Sequence, residues 1–255
     1  MPKPQILVIN PNTSTTITER LRLLAIEVVG EAAEIVAVTA PFGARYISTR
    51  SAALIAGHAT LDAYALALSA GEAPQALVIA CFGDPGLAAL REVAPVPVVG
   101  FAEAGIKAAA AHPGRFAIAT IGSAWEEMLA ELVAGLGLSE RLAGIILLDD
   151  VAGDPGSAAR LIATNAQRMG AERVVVGGTG LIPLIPELAQ RLSIPITDPH
   201  REAICHAVEL VREEAGNYGP AGVAARPGTF GGLSVELTNL LERQALPPAL
   251  AIMED

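Results

Sequence analysis

A cysteine opens the segment Cys81-Phe82-Gly83-Asp84-Pro85-Gly86, directly after the apolar run 76–80. A thiol at the carboxyl end of a buried strand, facing glycine-rich backbone and a helix start, meets N–H dipoles that favour the thiolate. A thiolate so placed is a base or a nucleophile, while a cysteine that merely packs is the competing reading. Asp84 either accepts N–H bonds within the loop or holds a substrate amide, and loop-holding is the favoured role. A second polar segment, Asn10-Pro11-Asn12-Thr13-Ser14, follows the first apolar run. Pro11 fixes one torsion, and Thr13 or Ser14 can cap the next helix. Two asparagines and two hydroxyls exceed what a cap needs, which points to ligand contact.

Such residues need a scaffold that gathers loop ends. Strand candidates fall at 6–9, 34–38, 76–80 and 96–99, then at 116–120, 144–148, 173–176 and 194–197. Helical patterns lie between them at 15–29, 50–70, 86–93, 102–111, 125–136, 155–169, 184–191 and 200–214. The strand runs are apolar throughout, which indicates helices on both faces. Repeated β-then-α order argues an α/β protein with mainly parallel sheets. The halves also resemble each other: ILVINPNTS with FAIATIGSA, ALVIACFGDPGLAALRE with RVVVGGTGLIPLIPEL, and VPVVGFAEAGIKAA with IPITDPHREAICHA. We read a duplicated unit, giving two pseudo-symmetric lobes, each a four-stranded sheet flanked by helices, with the site in the cleft between them. Residues 1–100 with 212–255 form the first lobe and 101–211 the second. Ligands gather at the carboxyl ends of parallel strands. The Gly/Pro-rich tail GNYGPAGVAARPGTFGG lacks regular pattern, and a short amphipathic helix is expected at 233–244.

Composition narrows the function. The 255 residues carry 17 basic and 27 acidic side chains, a net −10, and the only lysines are Lys3 and Lys107. So little positive charge argues against nucleic acid or an anionic membrane as partner. Apolar runs of about eight residues fall short of the ~20 that span a bilayer. MPKPQILVIN shows no secretory pattern, so a cytoplasmic location is expected. Cys81 and Cys205 make no disulfide framework or zinc pair, and no phosphate-cradling or HExxH motif occurs, so neither metal nor other cofactor is expected. A small-molecule substrate and a homo-oligomeric state are expected.

INPNTS, ACFGDPGLAALRE, PVVGFAEA and RFAIATIGSAWE together resemble the hydantoin and allantoin racemases of the aspartate/glutamate racemase superfamily, over residues 6 to about 211. The resemblance implies two lobes, no cofactor, and one cysteine from each lobe flanking the substrate's α-carbon. It makes Cys81 the first-lobe thiol and puts Asn10, Thr13, Phe82, Gly83 and Thr120 where relatives bind substrate amide or carboxylate groups. Asn12 and Asp84 join that set. Relatives carry the second cysteine in a Gly-Cys-(Thr/Ala)-Gly turn; here the turn reads Gly177-Gly178-Thr179-Gly180, with Gly178 in the thiol's place and Thr179 and Gly180 beside the substrate. Paired-thiol racemisation is therefore not open to this chain. His200 or Asp198, after the last strand of the second lobe, could supply the missing acid or base; His200 titrates near neutrality. Cys205 lies within a helix, where packing is expected. The alternative is one-sided chemistry by Cys81 alone, as in the arylmalonate decarboxylase of this superfamily, or a non-catalytic binder. Arg45, Tyr46 and Arg50 sit in a loop that approaches the cleft in relatives; a solvated surface loop is the plainer expectation. His58 and His112 read as structural or exposed, and Trp125 as packing.

Overall fold

The computed structural model describes residues 3–213 and 230–242. The first sheet joins β1 (Gln5–Asn10), β2 (Glu34–Thr39), β3 (Ala76–Ile79) and β4 (Val98–Gly100), in the order β2-β1-β3-β4, all parallel. The second repeats it with β5 (Phe116–Thr120), β6 (Leu142–Leu147), β7 (Arg173–Val176) and β8 (Ile196–Thr197), in the order β6-β5-β7-β8. The central strands are apolar on both faces because helices cover both, as Ile6, Leu7, Val8 and Ile9 of β1 and Ala117, Ile118 and Ala119 of β5 show by their burial. The expected duplication and α/β class are thus present, and boundaries move by a residue or two from the sequence expectation.

The helices start at local caps. Ser14 receives the Ile17 N–H at the head of α1 (Thr15–Val29), and Thr49 receives that of Ala52 at the head of α2 (Arg50–Ser69). Helix α2 is long and apolar enough by composition to cross a membrane, yet its Ala63, Tyr64 and Ala67 are buried in the core of the first sheet. Beyond α3 (Leu87–Val93) the chain exchanges helices between lobes. Helix α4 (Phe101–Ala110) buries Ala102, Ile106 and Ala109 with Phe116, Ile118 and Val175 of the second sheet. After α5 (Ala124–Gly135), α6 (Pro155–Met169) and α7 (Ile185–Arg191), helix α8 (Pro199–Glu213) returns. It buries Ala203, Ile204, Ala207 and Val208 with Ile6, Val8, Val78 and Val99 of the first sheet. Chain order had placed residues 199–211 with the second lobe; the apolar face of α8 instead completes the first. The exchange stitches the lobes together with the carboxyl ends of both sheets at one cleft. Helix α9 (Val235–Glu242) covers α2, with Leu240 and Leu241 on the first lobe's core and Ser234 bonded to Asp62. It therefore stays off the cleft; most of the Gly/Pro-rich tail lies outside the described residues.

Candidate active site

Four strand ends and one crossing loop enclose a hollow of about 240 Å³, lined by Asn12, Tyr46, Ile47, Cys81, Phe82, Thr120, Ile121, Trp125, Gly178, Thr179 and Gly180. Beneath it lies a polar network. Asn10, wholly buried, accepts the Asn12 N–H at 3.2 Å and directs its amide toward Asn12 Oδ1, Ser14 O and Thr18 Oγ1 at 3.0–3.1 Å. Asn12 Oδ1 also accepts the Ser14 N–H at 2.9 Å, which fixes the amide's orientation and leaves its Nδ2 as a donor for the hollow. Asn10 thus holds Asn12 rather than touching a ligand. Thr13 donates its N–H to Ala44 O at 3.1 Å and anchors the crossing loop.

Cys81 stands partly exposed where β3 ends, in a tight turn whose Gly83 and Asp84 N–H groups both bond Cys81 O. Burial of the sulfur among apolar walls, aided by the Asp84 carboxylate, pushes the thiol up to about 12. The expected thiolate-favouring field is thus outweighed by desolvation. Asp84 itself adopts φ 49°, left-handed backbone that aspartate tolerates. That twist turns its carboxylate away from the hollow and onto the start of α4, where it accepts the N–H groups of Ala102 at 2.9 Å and Glu103 at 2.7 Å. Gly100 makes this possible, because a Cβ there would overlap the carboxylate. Asp84 is therefore a helix cap reaching across from another loop, not a substrate ligand. In the second lobe the equivalent turn position, three residues after Gly178, is the buried Leu181, and α8 is capped locally by Asp198 through the His200 N–H at 3.0 Å.

Burial raises the Asp84 carboxyl to about 7, so folding takes up a proton there. Its contribution to stability is full below the unfolded value of 3.8 and is lost as pH rises through about 7. Asp84→Asn, which sets an amide NH2 against one of two helix N–H groups, is expected to lower the unfolding free energy at pH 5 by about 1–3 kcal/mol. Urea titrations should show the gap narrowing as pH rises from about 4 to about 7 and staying constant above that.

The second-lobe wall is built from the ends of β5 and β7. Thr120 is buried, lines the hollow and has no hydrogen-bond partner for its hydroxyl among the described residues. Gly178 has φ 121°, and a Cβ built there would touch only Thr120 Oγ1, at 3.7 Å. The N–H groups of Phe82, Gly178, Thr179 and Gly180 likewise have no acceptor among the described residues. The hollow thus offers amide and hydroxyl donors from both lobes, and no Lys or Arg lines it among the described residues.

His200 is not part of this arrangement. It is 0% exposed, its Nδ1 lies 2.7 Å from Asp198 Oδ1, and its ring packs edge-on against Phe101. Neither His200 nor Asp198 lines the hollow: α8 folds back onto the first sheet and carries His200 into the core, while the partly buried Asp198 caps its first turn and faces a separate surface cleft with Arg20 and Arg201. Cys205 is exposed on α8 rather than packed, and His112 is exposed. His58 stacks edge-on with Phe42.

The loop between β2 and α2 proves more important than its solvated appearance suggested. It crosses to the second lobe, where Trp125 Nε1–H donates to Ile47 O at 3.2 Å and Arg50 grips Glu131 with two bonds of 2.6 and 2.7 Å. Trp125 does pack, as expected, but it also walls the hollow and latches this loop. Tyr46 is carried into the site, 55% exposed; burial of its phenol, the Asp149 carboxylate and Cys81 all hold it above its ordinary range.

A family model described as Asp/Glu/Hydantoin racemase matches residues 6–207. The chain belongs to that family. It is 35% identical, over 213 residues, to a hydantoin racemase of Paenarthrobacter aurescens, covering 80% of this chain and 89% of the relative. Its fold is similar to an allantoin racemase from Klebsiella pneumoniae, with TM-score 0.81, 28% identity, and coverage of 92% of this chain and 99% of that one. An allantoin racemase from Pseudomonas fluorescens superposes with TM-score 0.78 at 26% identity, covering 89% and 100% of the two chains. The chain is thus an isomerase-class enzyme of the racemase superfamily. Within this racemase fold, Cys81 and Gly178 occupy equivalent positions, each second after its strand's last apolar residue-pair partner: Ile79 pairs across to β1 as Val176 pairs to β5.

Proposed function

We propose that this enzyme moves a proton at the carbon α to a carbonyl of a small, uncharged substrate of the 5-substituted hydantoin or allantoin type, and that the Cys81 sulfur is the group that exchanges it. The observation that supports this reading is the placement of Cys81: a half-buried residue at the carboxyl end of β3 that lines a hollow ringed by unspent N–H and hydroxyl donors. When a base removes an α-proton, negative charge develops on the adjacent carbonyl oxygen. Preorganised N–H donors stabilise that oxygen most as the charge grows. The loops after β3 and β7 supply such donors from either side, and Asn12 Nδ2 supplies another. With no Lys or Arg among the described lining residues, a carboxylate substrate would find no cationic partner there, whereas a cyclic diamide matches amide with amide.

A thiol pushed up to about 12 is protonated at neutral pH, so the thiolate fraction rises tenfold with each pH unit below that value. The rate of α-exchange per free enzyme and substrate, kcat/KM, is therefore expected to climb about tenfold per unit between pH 7 and 10. Deuterium incorporation into enantiopure 5-alkylhydantoins and allantoin, followed by NMR in buffered D2O alongside optical rotation, measures this after subtraction of the spontaneous rate. A flat profile over that interval would remove Cys81 as the base.

Gly178 favours one second reading: chemistry confined to the Cys81 face, such as reprotonation of a carbanion left by loss of carbon dioxide. That enzyme would release carbon dioxide from an α-disubstituted malonate, and Cys81→Ser would stop it.

A further inference from the structure

Eleven described residues line the hollow, and two of them carry side chains that ionise in water's working range: Cys81 and Tyr46. We infer that the Tyr46 hydroxyl is the proton donor and acceptor on the second-lobe side of the substrate, in the role that Gly178 leaves empty. The inference rests on the proposed α-proton chemistry and deepens it.

Three observations carry it. The backbone of Tyr46 belongs to the first lobe, but its Oη lies over the second, 3.7 Å from where a Cβ on Gly122 would stand. Gly122 follows β5, the strand hydrogen-bonded to β7, so the phenol is on the same wall as Gly178. This position is fixed rather than fortuitous. Thr13 N–H holds the loop at Ala44, Trp125 Nε1–H holds it at Ile47, and Arg50 ties it to Glu131. Gly122 is itself held, its N–H donating to Asp149 at 3.0 Å. Finally, the space above Gly178 is clear, with only the unpartnered Thr120 hydroxyl at its edge. Thr120 and Thr179 are alcohols; Tyr46 is a phenol, the most acidic hydroxyl among the described lining residues even though burial holds it above its ordinary range.

The proton count closes. In one direction the Cys81 thiolate takes the α-proton and becomes a thiol, while Tyr46 O–H gives its proton to the opposite face of the planar carbon and becomes a phenolate. In the other direction the phenolate takes the proton and the thiol returns one. Thiolate with phenol and thiol with phenolate are two forms of a site that has lost one proton, so a single ionisation of the pair serves both enantiomers. Tyr46 faces Cys81 and Asp149, both of which resist its ionisation, and half its surface is open to water that can reset it.

Tyr46→Phe keeps the ring and its packing and removes only the hydroxyl. With each enantiomer of 5-isopropylhydantoin in D2O, the variant is expected to lose racemisation about 100-fold, in kcat rather than KM. It should incorporate deuterium with retention into the enantiomer whose α-hydrogen meets Cys81, and leave the other undeuterated. Adding Gly178→Cys to Tyr46→Phe should restore inversion, which loss of a merely structural contact would not allow. Racemisation by Tyr46→Phe at the parent rate, with both enantiomers exchanging, overturns the assignment while sparing the Cys81 reading. A parent enzyme that neither exchanges nor inverts any hydantoin overturns both.

Discussion

Cys81→Ala should reduce α-deuteration and racemisation of hydantoins by about 10²–10⁴-fold, the range that a positioned acid-base group contributes. The fold should survive, since the residue removed is small and partly exposed, and a thermal melt should change little. Cys81→Ser is the sharper form of the test. Serine keeps the size and the hydrogen-bonding capacity, but an alcohol is orders of magnitude weaker as an acid than a thiol, so serine should be nearly as inactive as alanine. Equal activity in Cys81→Ser and the parent would mean that the side chain only shapes the wall. Cys205 serves as the internal control. It lies exposed on α8, away from the hollow, and Cys205→Ser should leave the rate as it was. If alkylation by iodoacetamide inactivates the Cys205→Ser enzyme and not the Cys81→Ser, Cys205→Ser double variant's residual rate, the loss belongs to Cys81.

Much of this site was legible because parallel strands that are buried on both faces announce themselves. The runs ILVI, ALVI, FAIA and RVVV each end on a loop, and α/β packing brings such loop ends together. Strand-end position points to Asn12 and Cys81, the family resemblance points to Phe82, Thr120, Gly178, Thr179 and Gly180, and all seven line one hollow. What failed to show in the sequence depends on where helices return. His200 and Asp198 follow a strand just as Cys81 does, yet α8 crosses to the first sheet and buries the imidazole completely. No local pattern distinguishes a helix that covers its own sheet from one that covers its twin's. Asp84 accepts backbone N–H groups, as the favoured reading has it, but not those of its own loop: its partners, the N–H groups of Ala102 and Glu103, lie in the next strand–helix unit. Gly100 was the available signal, a helix start with no capping side chain of its own. Tyr46 was hidden by its loop. In PFGARYISTR the arginines suggest solvent, and only the fold reveals that Arg50 spends its charge on Glu131 and so carries the tyrosine across the cleft.

Gly178→Cys is expected to give the enzyme a second thiol and to raise racemisation of 5-alkylhydantoins at least tenfold at pH 8. The direction follows from acid strength. A thiol ionises more readily than a phenol, so the second-lobe face gains an acid-base group better matched to Cys81. Space permits it, since the new Cβ would make only ordinary contact with Thr120 Oγ1. Backbone opposes it: φ 121° is a conformation that side chains other than glycine's rarely adopt, and the turn must relax or hold strain of about 1–3 kcal/mol. The two effects are separable. Activity measures the thiol, and a urea midpoint lowered relative to the parent measures the strain; Gly178→Ala should show the same destabilisation with no gain in rate. The combination also discriminates among mechanisms. If Tyr46 already serves the second face, Gly178→Cys should make racemisation insensitive to Tyr46→Phe. If the parent works from the Cys81 face alone, the substitution should create inversion where there was only exchange with retention. A Gly178→Cys enzyme that folds, binds hydantoin and inverts no faster than the parent would show that this position does not face the α-carbon, and that the pseudo-symmetry of the sheets does not extend to the chemistry between them.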